Sequence, residues 1–338
     1  MNSDIFLKNR EYWKDEIIRG NLIWPDTSII KFVNRNFKKE LRGYLVNWEL
    51  YLMLIIPLVL LFVFCYYPML GLQIAFKRYN ASGGIWGSKW VGLDQFAKMF
   101  NTPKFTMVFW NTVKISVYQI LLESPVTVLF ALILNVVRNK AYKKTVQMIT
   151  YMPHFISTVI MVGILSQILN PRVGLYGQFC NMIGIESVDI WSKPEAFAHI
   201  YVLSAIWQNI GWNSIIYLAA LSSVDPSLYE AASVDGASRL RQIINIDFPS
   251  ILPTFVILFI MRIGSMMTIG YEKVLLMQNS LNLSASEIIS TYSYKVALQT
   301  GSDYSYGAAV GLFNSAINLV LIVAANALSK RVTETSLW

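Results

Sequence analysis

Apolar residues gather along this chain in six runs, each long enough, at about 20 residues, to cross a hydrocarbon core of about 30 Å. They fall near Leu50 to Leu72, Val108 to Val137, Val146 to Leu169, His199 to Leu221, Ser250 to Gly270 and Gly307 to Leu328. In lipid such runs read as helices, because only a helix satisfies all its backbone polar groups within one segment. The pattern therefore predicts an all-α integral membrane protein with six transmembrane helices over residues 50–328. The second run is longer than a perpendicular crossing needs, so it should tilt or leave the bilayer at its ends.

Before the first run the period changes. Ile29, Ile30, Val33, Phe37, Leu41, Tyr44, Leu45 and Trp48 recur at helical spacing, with Lys31, Arg35, Lys38, Lys39 and Arg42 between them. This predicts a helix over about 28–48 lying on the membrane surface, apolar side down and cations toward lipid phosphate; a loose basic tail is the alternative. Residues 1–49 thus form an N-terminal extension, whose first 28 residues have no assigned role. It lacks the clean apolar core and small-residue cleavage site of a signal peptide. At the other end, residues 329–338 are left as a tail.

Between the fourth and fifth runs lies a polar interruption, residues 222–249, which the rest of the chain is organised around. Asp225 is placed to cap free N–H groups and Pro226 suits a first helical position, so a helix should run to about Val234. Asp235-Gly236 ends it, since glycine takes the left-handed backbone of a helix stop at no steric cost. A short basic helix with Arg239 and Arg241 then leads to Ile246-Asp247-Phe248-Pro249. Glu230-Ala231-Ala232, three residues, Gly236, nine residues and Ile246-Asp247-Phe248-Pro249 together resemble the signature loop of the membrane subunits of binding-protein-dependent ABC importers, with Phe248 where that pattern has leucine.

The likeness continues in Trp48-Glu49-Leu50-Tyr51-Leu52, Trp90-Val91-Gly92-Leu93, Tyr151-Met152-Pro153-His154-Phe155-Ile156-Ser157, Asp225-Pro226 and Thr335-Ser336-Leu337-Trp338. These are similar to the carbohydrate-uptake branch, the lipoprotein-linked oligosaccharide-type permeases, from about residue 45 to the end. The resemblance implies a type I importer permease in a bacterial cell membrane. It implies a second, different permease as partner, two cytoplasmic ATPase subunits that hold ATP and Mg, an extracellular solute-binding lipoprotein, and a carbohydrate substrate, an oligosaccharide or uronic-acid relative. The loop becomes the ATPase-coupling element, with Tyr229, Glu230, Ala231, Ala232, Asp235, Gly236 and Pro249 as its site residues.

Charge sets the orientation. Seventeen Lys and Arg lie in the N-terminal segment, residues 138–146, the signature loop and the C-terminal end, against nine in the other three loops. The richer set is cytoplasmic. Both termini then lie inside, and the signature loop faces the cytoplasm, where an ATPase could reach it. A net charge of +8 follows largely from this excess beside an anionic leaflet and calls for no nucleic acid. Composition agrees: the chain is 55% hydrophobic and 14% charged.

Sugars are held by amide and charged groups on their hydroxyls and by aromatic faces on the ring. The fourth run offers Trp207, Asn209, Trp212, Asn213 and Tyr217, of which Asn209, Trp212 and Asn213 share a helix face and Tyr217 lies a turn further along it. In the fifth, Arg262 is a full charge inside an apolar run and must face the bundle or a wet cavity. Glu272 follows, as a partner for Arg262 or a sugar contact. Either substrate lining or interhelical glue explains these polar groups.

Catalytic chemistry finds little support. There is no Gly-x-x-x-x-Gly-Lys phosphate loop, so ATP hydrolysis belongs to another chain. His154 and His199 fall at opposite membrane faces, and Cys65 and Cys180 have no metal-ligand spacing, so neither a metal site nor a catalytic residue is expected. The alternative function is an ion-coupled secondary sugar carrier. Such a carrier should show intramembrane carboxylates and an internal repeat, whereas only Glu123 lies well inside a run and no repeat is visible.

Overall fold

The structure, a computed structural model, describes residues 48–300, 303–332 and 336–337. The surface helix expected at 28–48 and the extension before it lie outside the described residues, except for Trp48, as do Thr335 and Trp338. Residue contacts divide the chain into two units, residues 1–70 and residues 71–338.

The first unit is described through α1 (Trp48–Leu61), almost wholly apolar, with Glu49 in its first turn. It passes into a π-helical turn at Phe62–Tyr66, where Tyr67 N–H reaches back to Phe62, and then a 3-10 segment from Tyr67 to Phe76. Pro68 lacks an N–H for the α-ladder, and the hydrogen-bond register shifts just ahead of it. Every side chain from Trp48 to Leu70 is exposed, as lipid-facing apolar groups are.

The second unit opens on a small antiparallel ribbon, β1 (Lys77–Arg78) against β2 (Lys89–Trp90), followed by α2 (Asp94–Phe100). α3 (Pro103–Val136) has 34 residues with proline in its first turn, so it is about 50 Å long and exceeds the hydrocarbon core as its sequence predicts. α4 (Lys140–Tyr151) starts at an Asn139 cap, and α5 (Thr158–Ile168) at a Ser157 cap. The third run is therefore no straight span. α4, extended by a 3-10 turn to Phe155, and α5 are bent by 103°. Pro153 removes a ladder donor, Ile156 is extended, and Ser157 offers the next helix a start, so the break is built from local chemistry that average hydropathy hides.

α6 (Leu175–Met182) lies in the following loop, and α7 (Pro194–Ser222) is 29 residues long. α8 (Pro226–Val234) is the helix of the polar interruption, and α9 (Phe248–Gly264) follows through a short turn at Arg239–Gln242 and a π-turn at Ile243–Asp247. α10 (Tyr271–Met277) and α11 (Ile289–Tyr294) structure the last long loop, and α12 (Tyr304–Val332) runs four residues past the boundary expected at Leu328. Ile289, Thr291 and Tyr292 of α11 are buried, so this segment packs inside the unit.

Among the described residues four helices are long and apolar enough to cross a membrane, Trp48–Phe76, Pro103–Val136, Arg239–Gly264 and Tyr304–Arg331, and the bent pair makes a fifth crossing if taken as one span. α7 completes the six expected runs by length. It is less apolar, because Gln208, Asn209 and Asn213 interrupt it. That polarity is tolerable because α7 is the central helix: it packs along α3 and against α4 and α9, while α9 packs on α12. Gly211 lets α7 and α4 touch, since a Cβ there would stand 2.3 Å from the Thr150 carbonyl oxygen. One apolar cluster joins Val128, Leu132, Tyr217, Leu221 and Ile251, and another joins Ile115, Phe197, Tyr201, Val202 and Val274. Glu123 of α3 and Asn209 and Asn213 of α7 fall between these clusters.

Candidate functional site

Two places in the second unit bring together the polar residues that the sequence singles out. The first is the base of α8 and α9. Asp225 Oδ1 accepts the Ser227 N–H at 2.9 Å, which starts α8 and holds the Asp225 carboxyl below its ordinary range. Gly236 takes φ +71°, and the Ala237 N–H returns to the Ala232 carbonyl at 2.8 Å, closing the helix where the sequence places its end.

The inward face of α8 is anchored. Tyr229 OH donates to Asp247 Oδ1 at 2.5 Å, and Asn135 Nδ2, near the end of α3, donates to the same oxygen at 3.3 Å. Asp247 is 2% exposed, so one buried carboxylate joins α8, the start of α9 and the end of α3. Burial and the adjacent carboxylate push the Tyr229 hydroxyl up to about 12. Gln242 Nε2 adds a bond to Ser233 Oγ at 3.2 Å. The other face is open: Glu230, Ala231 and Asp235 are exposed, Ala232 is half-buried, and Val234 is 88% exposed. Pro249 is exposed in the first turn of α9, away from this latch. Asp247 and Asn135 were not legible as a site, because their meeting spans 112 residues. The visible signal was only an acid beside a span.

The second place is a cavity of about 370 Å³ between α3, α7, α9 and α10. Its hub is Glu123, 3% exposed. Glu123 Oε1 accepts from Arg262 at 2.9 Å and from Asn213 Nδ2 at 2.8 Å, and Oε2 accepts from Gln119 at 2.8 Å. Arg262 therefore turns inward as a charge in an apolar run must, but its partner is Glu123. Glu272 is exposed and does not line the cavity, which corrects its pairing with Arg262. The neighbouring Lys273, about 100° round α10, lines it instead. Lys273 is buried, its Nζ has no hydrogen-bond partner among the described residues and lies 5.2 Å from the Tyr201 ring, and burial lowers its pKa to about 8.

Part of the wall is backbone. Between α9 and α10 the chain unwinds at Ser265–Gly270, and such irregular backbone is sustainable in a membrane protein only where it is buried or lines a wet space. Side chains satisfy it: Ser116 Oγ donates to the Met266 carbonyl, and Asn318 Oδ1 accepts from Met267 N–H at 3.0 Å.

The α7 residues divide. Asn209 and Asn213 both line the cavity, as their shared face predicts. Asn209 also bonds His154 at 2.9 Å, and the His154 ring stacks on Trp212 with centroids 4.5 Å apart. Trp212 and Tyr217 line an adjoining, more apolar space of about 770 Å³ that shares Asn213 and Arg262. Trp207 is half-exposed and lines neither. His199 meets Tyr118 OH at 2.9 Å, so the two histidines serve separate contacts. Chemically the cavity offers amide donors, one compensated ion pair and one buried ammonium, a set suited to a hydroxyl-rich solute.

Residues 125–334 match the family model described as "Binding-protein-dependent transport system inner membrane component". The chain is similar to the polygalacturonan/rhamnogalacturonan transport system permease protein YteP of Bacillus subtilis strain 168, with 40% identity over 89% of this chain and 95% of that protein. It is similar to LplB of the same organism, at 39% identity over 86% of this chain and 91% of that one. Among solved structures it resembles a chain of a bacterial alginate ABC transporter in complex with an alginate pentasaccharide-bound periplasmic protein. There the TM-score is 0.80 with 38% identity, covering 88% of this chain and 99% of that chain.

Proposed function

Since the chain belongs to the family of binding-protein-dependent transport system inner membrane components, and is a permease subunit of an ABC importer, we propose that it forms half of a translocation pathway for an oligosaccharide. A second, different permease supplies the other half. Two cytoplasmic ATPase subunits bind ATP and Mg and perform all the hydrolysis, and an extracellular binding protein delivers the sugar. The chain itself carries no cofactor and no catalytic group. Both termini and α8 face the cytoplasm.

The observation that carries this reading is the latched projection of α8. An exposed face of Glu230, Ala231 and Val234 is available to an ATPase cleft, while the opposite face is tied through Tyr229 and Asp247 to α9 and α3. Movement of the cleft is then passed to the helices that wall the cavity, with Asp235-Gly236 and Pro249 shaping the ends of the loop. ATP binding closes the ATPase dimer and rocks the cavity outward to accept sugar; hydrolysis returns it inward. Asn209, Asn213 and Arg262, with Trp212 and Tyr217 beside them, form this chain's share of the path. The substrate class is supported by the polysaccharide substrates in the names of its relatives.

Affinity purification through a tag on this chain in mild detergent, with mass spectrometry and an ATPase assay of the eluate, tests it. A second permease and a nucleotide-binding subunit are expected, with hydrolysis stimulated by sugar-loaded binding protein. Recovery of the chain alone, carrying sugar in liposomes without ATP, overturns the reading in favour of an ion-coupled carrier.

A further inference from the structure

The cavity wall holds three charged side chains, Glu123, Arg262 and Lys273. Glu123 and Arg262 compensate each other at 2.9 Å, so the sum of two cations and one anion leaves one positive charge, that of Lys273. Lys273 is only 7% exposed, its Nζ finds no hydrogen-bond acceptor among the described residues, and it lies over the face of the Tyr201 ring at 5.2 Å. A buried ammonium without an acceptor is a costly arrangement, and a cation over an aromatic face recovers only part of the lost hydration. The flexible four-carbon stem can carry the ammonium from the ring toward the cavity. A neutral sugar would offer it hydroxyl oxygens; a carboxylate would also cancel the charge and accept a stronger, charge-assisted bond.

We propose that Lys273 is the carboxylate-recognising group of this cavity, and that the transported carbohydrate is acidic, a uronate oligomer. The ring hydroxyls of such a sugar meet Asn209 and Asn213, while the Glu123–Arg262 pair, already satisfied, holds the Asn213 amide in place and His154 holds that of Asn209. The proposal rests on the importer reading above and adds the charge of its substrate.

The test uses the complete complex with its binding protein in proteoliposomes. Short oligomers of galacturonate, glucuronate and mannuronate are compared with their carboxyl-reduced, neutral counterparts. Lys273→Met should cut uptake of the acidic oligomer by at least about tenfold, the scale of one charged hydrogen bond. Lys273→Arg should keep most of the uptake. Where Lys273→Met does not assemble, Lys273→Gln takes its place.

Undiminished acidic uptake in the neutral variant overturns the proposal. So does an equal loss of acidic and neutral uptake, a loss shared by Lys273→Arg, or a wild-type complex that carries only the neutral sugars; each leaves the importer standing. Absence of ATP-driven uptake of any sugar instead removes the importer reading, and the proposal falls with it.

Discussion

Glu123 accepts bonds from three side chains on two other helices and its own, and each of them is fixed by it. Removing one partner of a buried ion pair costs about 3–5 kcal/mol, and somewhat less here because the Arg262 side chain is 30% exposed. Glu123→Ala should therefore lower the melting temperature of the detergent-solubilised complex and reduce its yield. The charge-neutral double variant Glu123→Gln with Arg262→Met should regain most of that stability without regaining uptake. If the double variant melts as low as the single, the pair is not the source of the loss. Sequence alone places Arg262 away from lipid and marks Glu123 as an intramembrane carboxylate, but their pairing crosses 139 residues and depends on how α3 and α9 pack. A rule that opposite charges inside spans seek each other would have found it. Lys273 gave no such signal, because one residue of rotation decides whether it or Glu272 faces inward.

At the scale of elements, α8 was fully legible. Its Asp225 cap, Pro226 start and Gly236 stop are local rules, and the helix runs from Pro226 to Val234 as they dictate. The bend between α4 and α5 was not, since hydropathy averages over a break that Pro153 and Ser157 make. Tyr229→Phe removes a charged hydrogen bond worth about 1.5–3 kcal/mol. A Cβ at Gly236 would meet no atom within 4 Å, so the cost of Gly236→Val begins at that of the left-handed backbone, about 1–2 kcal/mol. In both variants the complex should still hydrolyse ATP while sugar moved per ATP falls several-fold; unchanged stoichiometry would show that the latch transmits nothing. The pH dependence has a defined sign. Tyr229 is held protonated, with its pKa raised from 10.0 to about 12. Its contribution is therefore fully present below pH 10 and lost as pH rises through 12. The melting difference between wild type and Tyr229→Phe should stay constant from about pH 6 to about pH 9 and shrink above about pH 10.

For the whole molecule, the positive-charge asymmetry predicts which loops face inward. With both native cysteines replaced, Ser238→Cys should react with an impermeant thiol reagent only from the cytoplasmic side, and Glu186→Cys only from outside; the reverse pattern inverts the orientation. Six runs were expected from hydropathy, of which four helices, or five with the bent pair, meet the length and hydropathy of a span among the described residues; the role of α7 emerges only from packing, which lets a helix poorer in apolar groups sit at the centre. α9 carries the Asp247 latch at its base and Arg262 fifteen residues on, about 22 Å along the axis. A single rod that touches both sites makes their free energies a shared quantity. If α8 seats in an ATPase cleft as proposed, whatever preference the sugar has for one arrangement of the cavity walls must reappear, by the same factor, as a change in how tightly the distant ATPases hold nucleotide. An empty cavity and a loaded one would then hold nucleotide with different strength, a linkage set by thermodynamics that requires no separate sensor.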